Sequence, residues 1–433
     1  MTLEIYNSAN LLEKSEISAF MEKISMVLKK KGNILLLPPD ISRFSSGAGM
    51  LSKMLYKSEA GNRIKKIIPA TGTHSPMTRQ EKRTMFGDIP DTLFAVHDWK
   101  KDLCHAGTIP EDFIREKTGI CGYTIPVWLN NEVLSSEYSS IVSIGQVVPH
   151  EVAGMANHNK NIIIGTGGSE IINLSHYLSA VYGMENIMGR SENPVRDLFD
   201  YSENNFLPDR EIFYILTVCG RGSETPEGGI DGPEGRRSPV KGRGYGIKGI
   251  FAGYGKECYL KACKASEMEN IFNLGKKPAK IVVSLDNNIK SMWIGNKAIY
   301  RSRLAAADGG ELLIVAPQVS MFGEDKTLDS MIRKYGYTGK EAITKAVEAN
   351  NDLKENLSAA AHLIHGSSEG RFKITWCPGK IGKEEVLKAG YDYTAPENLP
   401  DEYNPSNLAE GFNNVKGEEI YYISNPGQGL WRG

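Results

Sequence analysis

The chain has 433 residues, 40% of them apolar and 24% charged, ordinary values for a globular protein long enough for two or three domains and a large core. This excludes a disulfide mini-protein, a collagen-like fibre and a mainly disordered tail. With 51 Lys and Arg against 52 Asp and Glu there is no net field of either sign, so neither nucleic acid nor a strongly basic partner is expected.

Residues 1–16 already carry charges, and no uncharged run of about 18 residues could span a bilayer, so a soluble, cytoplasmic protein with no membrane contact is expected. The six cysteines (Cys104, Cys121, Cys219, Cys258, Cys263, Cys377) are dispersed without a CxxC pair. That argues for reduced thiols and against a structural zinc site.

Short β-rich runs alternate with helix-like spacing, the signature of α/β sheets covered on both faces. Residues 17–29 predict a helix, 33–38 and 65–70 strands, and Thr78-Arg79-Gln80-Glu81 a capping box at a helix entry. Strands are predicted at 140–144, 161–164 and 212–218, with a helix at 171–182. Residues 220–249 hold too much Gly, Pro and charge for a core and predict a long loop. Beyond it, helices are expected at 257–268, 289–304, 340–348 and 353–365, and strands at 279–285, 311–316 and 418–423. An irregular Pro-, Tyr- and Asn-rich segment occupies 391–407, and no internal repeat is present. The boundary falls near 274–278 (LGKKP), giving an N-terminal α/β domain of residues 1–275 and a C-terminal one of 276–433. The expected active site lies in the cleft between them.

Gly244-Tyr245-Gly246-Ile247-Lys248-Gly249 is a literal GxGxxG, but the dinucleotide fingerprint needs a strand before it and a helix after it. Here a loop precedes it and a strand-like IFAG follows, so a loop outweighs a dinucleotide site. The neighbouring basic residues (Arg236, Arg237, Lys241, Arg243, Lys248) fit either an anion clamp or a solvated surface. A better cradle is Gly165-Thr166-Gly167-Gly168-Ser169, after an apolar run and before a helix. Its backbone N–H groups and hydroxyls suit a phosphate, and a tight turn needing positive φ accounts for it equally well.

Three post-strand turns carry chemistry-bearing side chains: Asp40 and Arg43, His74, and His150. Open α/β sheets place ligands beyond the carboxyl ends of strands. Arg43 can hold a carboxylate or phosphate as a fork with Asp40 supporting it, or the two form a loop ion pair. Two histidines in equivalent turns balance a catalytic against a structural reading. His176, inside the predicted helix, fits a core residue, and His97, His105, His158, His362 and His365 are read as structural or surface residues.

The segment Gly145-Gln-Val-Val-Pro-His150-Glu-Val-Ala-Gly154, with Lys160 ten residues after His150 and His176 twenty-six after it, closely resembles the nickel-dependent lactate racemase family. So do the Asp40–Arg43 and Gly72-Thr-His74 turns, Asn193-Pro194-Val195-Arg196, Phe251-Ala252-Gly253, and Lys297 twelve residues ahead of Gly309-Gly310. The resemblance runs over nearly the whole chain. It implies a nickel pincer nucleotide (nickel pyridinium-3,5-bisthiocarboxylic acid mononucleotide) tethered to Lys160, with His176 as nickel ligand. It further implies His74 and His150 as the two bases, Arg43 and Lys297 as substrate anchors with Asp40 behind Arg43, and Gly165 to Ser169 as neighbours of the nucleotide phosphate. Cofactor-building enzymes are then partners.

The implied activity is an isomerase: a racemase or epimerase inverting C2 of a 2-hydroxy acid by hydride transfer to the cofactor, with a histidine on each side to take and return the hydroxyl proton. The chain departs from the family pattern at Ala156-Asn157-His158-Asn159, where Ser-Gly-Gly plus one residue is usual, in the length of the 220–249 loop, and at Trp293 and Ile294. The first two departures lead to the expectation of a larger, more polar acid such as an aldonate rather than lactate, and Trp293 and Ile294 suggest a changed substrate pocket. Lactate racemase proper, a hydrolase or lyase using His74, His150 and Asp40 on a divalent ion, and a non-catalytic cofactor carrier are the alternatives.

Overall fold

The computed structural model describes residues 2–222, 244–427 and 429–433. The chain forms two compact units, one of Met1–Ser175 with Met188–Asn270 and one of His176–Ile187 with Ile271–Gly433. The division falls at Asn270/Ile271, a few residues before the expected 275/276. It also assigns the second half of the helix Ser169–Tyr182, with the turn after it, to the second unit. No local composition marks that exchange, because a single helix runs through it.

The first unit is built on a six-stranded sheet in the order Thr2–Tyr6, Tyr245–Tyr254, Glu211–Arg221, Ser140–Gln146, Ile34–Leu37, Ile64–Ile67. The last four strands pair in parallel and the first two add antiparallel. The parallel strands are largely continuous apolar runs, as burial on both faces requires. Ile34, Leu36, Val142, Ile144, Phe213 and Ile215 pack in one core with Ile17, Phe20, Ile24 and Leu28 of the helix Lys14–Leu28. The capping box at Thr78 forms as expected, with Thr78 and Glu81 exchanging side-chain and backbone bonds at the start of Arg79–Phe86.

The second unit repeats the scheme with the order Asp392–Tyr393, Lys373–Pro378, Glu311–Ala316, Lys280–Ser284, Glu418–Ile423, Gly411–Val415, parallel except for the last strand. The helix expected over 289–304 is split into Met292–Gly295 and Lys297–Ser302, and that over 353–365 into Asn351–Lys354 and Leu357–His365.

Two expectations are corrected. Residues 161–164, read as a strand, belong to the short helix Asn159–Ile163 and its C-cap; a run of three isoleucines fits a buried strand and a buried helical turn alike. The ends of the expected 220–249 loop are strand, since Glu211–Arg221 and Tyr245–Tyr254 pair out to Tyr245 opposite Arg221. Residues 223–243, with Arg236, Arg237, Lys241 and Arg243, lie outside the described residues.

Candidate active site

Ser140–Gln146, Ile34–Leu37 and Ile64–Ile67 are neighbouring parallel strands, so the loops that follow them leave from one edge of the sheet. Those loops carry His150, then Asp40 and Arg43, then His74. Pro38 and Pro39 end the central strand, since proline cannot donate to a ladder; the carbonyl of Pro38 still accepts from Ala70 N at 2.7 Å, tying the Asp40 loop to the His74 loop. Gly72, with φ 56°, supplies the backbone turn that reverses the chain just before His74.

Asp40 is the N-cap of the 3-10 turn Ile41–Ser46. Its Oδ1 accepts from Ser42 N (3.0 Å) and Ser42 Oγ (2.5 Å), and its Oδ2 lies 2.8 Å from His74 Nδ1. A carboxylate can only accept, so His74 carries its proton on Nδ1 and presents Nε2 as a base. Burial pushes the Asp40 carboxyl up, but the bonds from His74 and Ser42 and the charge of Arg43 outweigh it and hold the group below the usual range. The expected support of Arg43 by Asp40 is therefore corrected. Asp40 bonds directly to His74, and Arg43 reaches it through Ser42, whose Oγ accepts from Arg43 Nη1 at 3.4 Å. The sequence reading missed Ser42, although an Asp-x-Ser spacing at a helix entry signals an N-cap whose aspartate has a local partner.

His150 is held differently. Its Nδ1 accepts from Val152 N at 3.0 Å and Ala153 N at 3.4 Å, which leaves the proton of the neutral ring on Nε2. Lys160 lies in the helix Asn159–Ile163 and is partly buried. Desolvation, with Arg43 adding to it, Glu151 opposing it and Arg196 adding again, brings its amine down to about 8. The Arg43 charge thus acts on both Asp40 and Lys160, and the His74 loop is tied to the end of the Lys160 helix by the bond from Gly72 N to the Gly165 carbonyl at 2.9 Å.

The residues leading to Lys160 do not form the polar pocket expected of them. Asn157, His158 and Asn159 are all buried. His158 sits between the rings of Tyr214 (4.0 Å) and Tyr259 (4.9 Å) with Nε2 3.2 Å from the Gly255 carbonyl, and burial brings its imidazole down to about 3. Asn159 donates to Asp200 (2.7 Å) and accepts from Arg196 (2.7 Å). Arg196 belongs to the helix Pro194–Phe206, fixed by the Asn193 N-cap and a proline at its first turn.

The glycine turn 165–169 is also not the cradle expected. It follows a helix, and its backbone N–H groups are committed: Gly165 to Lys160, Thr166 to Ile162, Gly167 to Ile164 and Gly168 to Trp128. A Cβ at Gly167 would meet the Ile163 carbonyl at 2.0 Å and one at Gly165 the Asn161 carbonyl at 2.3 Å. Close packing of the chain on itself therefore explains the glycines. Ser169 opens the helix Ser169–Tyr182, its hydroxyl turned to Glu170. The GxGxxG run enters the strand Tyr245–Tyr254, which excludes the dinucleotide geometry. Lys248, one candidate for an anion clamp, is instead a buried partner of Glu269 at 2.8 Å.

In the second unit His176 is partly buried on the second half of Ser169–Tyr182. Lys297 opens the helix Lys297–Ser302. Four residues before it, Trp293 stacks on His362 at 3.9 Å, whose ring is held by Tyr300 OH (2.7 Å) and Tyr337 OH (3.0 Å). Among the described residues no three His, Cys, Asp or Glu side chains are grouped to hold a metal ion.

Residues 12–187 match the family model of the lactate racemase N-terminal domain. A crystal structure of a protein from Thermotoga maritima is similar over 98% of this chain and 99% of its own, with a TM-score of 0.77 and 20% identity. The lactate racemase apoprotein from Thermoanaerobacterium thermosaccharolyticum is similar over 98% of this chain and 94% of its own, with a TM-score of 0.70 and 17% identity. At these identities the two structures show the α/β fold. No curated protein matches the sequence.

Proposed function

Starting from residues 12–187 as a lactate racemase N-terminal domain, we propose that the chain is an isomerase that inverts C2 of a 2-hydroxy acid. The observation that carries this reading is the His74–Asp40 bond at 2.8 Å with Arg43 on the same turn as Asp40. It supplies a base of fixed tautomer beside a guanidinium suited to a carboxylate. His74 Nε2 takes the hydroxyl proton while Arg43 orients the carboxylate, with Lys297 assigned as the second anchor. His150, with its proton on Nε2, offers a hydrogen bond to the substrate oxygen. Base duty at His150 for the opposite enantiomer needs the proton on Nδ1, which gives up the bonds from Val152 and Ala153.

The chemistry of Lys160 fits a covalently held cofactor, because a partly buried amine brought down to about 8 is nucleophilic near neutral pH. Lys160 would tether the nickel pincer nucleotide and His176 would ligate its nickel, the remaining donors coming with the nucleotide. When bound, that group supplies the acceptor and donor of the hydride. The reading places the protein in the cytoplasm with the cofactor-building enzymes; no helix among the described residues is long and apolar enough to cross a membrane. The substrate class proposed is a 2-hydroxy acid. The preference for a longer polar acid loses the support of the buried 157–159 run, and most of the 220–249 insertion that also supported it lies outside the described residues.

The test uses protein produced with the pincer-building enzymes. Intact mass should show an adduct on the wild type that Lys160→Ala lacks, and a panel from lactate and malate to gluconate should be inverted in deuterated water without deuterium at C2. An adduct on another lysine would reject the tether. Deuterium at C2 would reject hydride transfer, and an adduct on Lys160 with no inversion of any acid would mark a cofactor carrier.

A further inference from the structure

We infer that Arg196 is a positioning residue for Lys160, its buried guanidinium clamping the turn 155–159 so that the Lys160 amine is presented at a fixed place. The Arg196 side chain is fully buried. Nη2 donates to the Met155 carbonyl (2.5 Å), and Nη1 donates to the Asn157 carbonyl (3.2 Å) and to Asn159 Oδ1 (2.7 Å). Its guanidinium lies over the Tyr259 ring at 4.6 Å, the same ring that stacks on His158. Three alternate residues of the segment that ends at Lys160 are thus gripped by one side chain from another helix, and the residue between two of them is held by the ring under that side chain.

A clamp is needed there because the turn is not one its own residues favour. Asn157 has φ 64° and His158 φ 59° with ψ −138°, backbone that L-residues with large side chains rarely adopt and that persists only when surroundings over-determine it. A lysine could not grip the same acceptors, since only the planar fork reaches several at fixed angles. Loss of the clamp frees the turn, and the Lys160 amine then moves toward water and toward the ordinary lysine range. Desolvation, then the charges of Arg43 and Arg196, hold it down against Glu151; freeing the turn reduces the desolvation in both Arg196 variants below, and Arg196→Gln also removes the Arg196 charge.

The inference rests on the reading of Lys160 as a reactive amine, and the test separates the two. Apo-protein is treated with limiting acetic anhydride from pH 6 to pH 10, and acetylation is resolved by lysine with peptide mass spectrometry. Wild-type Lys160 should label with a midpoint well below that of the exposed lysines. In Arg196→Lys and Arg196→Gln the midpoint should rise, with labelling at pH 7 falling on the order of tenfold for each unit of the rise, while the other lysines label as before. Asn159→Ala removes one of the three bonds and should give a smaller rise if either Arg196 variant fails to fold. Folded variants with the wild-type midpoint at Lys160 would overturn the inference and leave the tether reading standing. A wild-type Lys160 that titrates like an exposed lysine would overturn both.

Discussion

Asp40→Asn isolates the pairing of His74 with its carboxylate. In the native site Oδ1 accepts twice from Ser42 and Oδ2 accepts from His74 Nδ1 at 2.8 Å. An asparagine can keep both Ser42 bonds through its oxygen, but its NH2 then faces Nδ1. The ring answers by making Nδ1 an acceptor and moving its proton to Nε2, the atom assigned to take the hydroxyl proton. The variant therefore retains the ring and loses the base, and turnover should fall on the order of 10²- to 10⁴-fold. The effect on stability is small by comparison. A hydrogen bond to a charged group contributes about 1.5–3 kcal/mol, but the His74 side chain is 63% exposed, and screening brings the expected loss nearer about 1 kcal/mol. Because the Asp40 carboxyl is lowered in the fold, its contribution is present above the unfolded value of about 4 and is lost as pH falls through the folded one. The stability gap between wild type and variant should thus narrow only in acid. Turnover of the loaded enzyme and 15N NMR of the His74 ring in apo-protein read the two consequences separately. An Asp40→Asn enzyme within about threefold of wild type, or one whose Nδ1 keeps its proton, would refute the argument.

His74→Ala and His150→Ala should each keep the adduct and lose inversion by about 10²- to 10⁴-fold, whereas His176→Ala should keep the adduct and lose nickel by elemental analysis; normal inversion in either base variant would end the two-histidine mechanism. Lys297→Ala should raise KM on the order of tenfold or more with a smaller change in kcat, as loss of a charged anchor does, and an unchanged KM would remove it from the site. His158 is buried neutral with its imidazole brought down to about 3, so the unfolded chain takes up a proton below about pH 6.5 that the fold refuses, and stability is lost as pH falls from there toward the folded value. Between about pH 6.5 and 4.5 this comes to about 2 to 3 kcal/mol. His158→Asn, whose side chain takes up no proton in this range, should therefore show a shallower acid slope in urea melts than the wild type, and an equal slope would contradict the assignment.

How much of this was legible beforehand follows from the range of each interaction. The strand cores Ile34–Leu37 and Glu311–Ala316 are nearly unbroken apolar runs, and the Thr78 capping box closes within four residues, so local pattern suffices for all three. The turns bearing Asp40, His74 and His150 could be placed at strand ends for the same reason. That Asp40 bonds His74 and not Arg43 could not be read, because the partners are 34 residues apart and only the register of neighbouring strands brings them together. The 161–164 run failed for the opposite reason: Ile162 and Ile163 are fully buried on a helical turn too short to show a helical period. Arg196 stood in a recognisable Asn-Pro-x-Arg helix entry, but its acceptors lie 37 to 41 residues upstream.

The 156–159 run shows how a departure from a family pattern can be seen correctly and its consequence misjudged. Asparagine and histidine where glycines are usual do remove backbone freedom, yet the chain keeps a positive φ at both positions, at a strain of order 1–3 kcal/mol each. Compensation comes from behind the turn. A Cβ at Gly145 would lie 1.9 Å from Asn157 Nδ2, so a glycine at the end of the strand Ser140–Gln146 provides the space that the Asn157 side chain fills. Asn157 Oδ1 accepts from His158 N at 2.8 Å, and Tyr214 and Tyr259 close on the His158 ring. Polarity in a sequence carries no direction, so polar side chains next to Lys160 fit a substrate-facing and an inward-facing turn alike. Here they face inward, where a polar atom taken out of water costs free energy unless it is bonded again. Asn159 meets that demand through Asp200 and Arg196, and His158 Nε2 through the Gly255 carbonyl. The departure therefore changes what holds the turn that leads to Lys160.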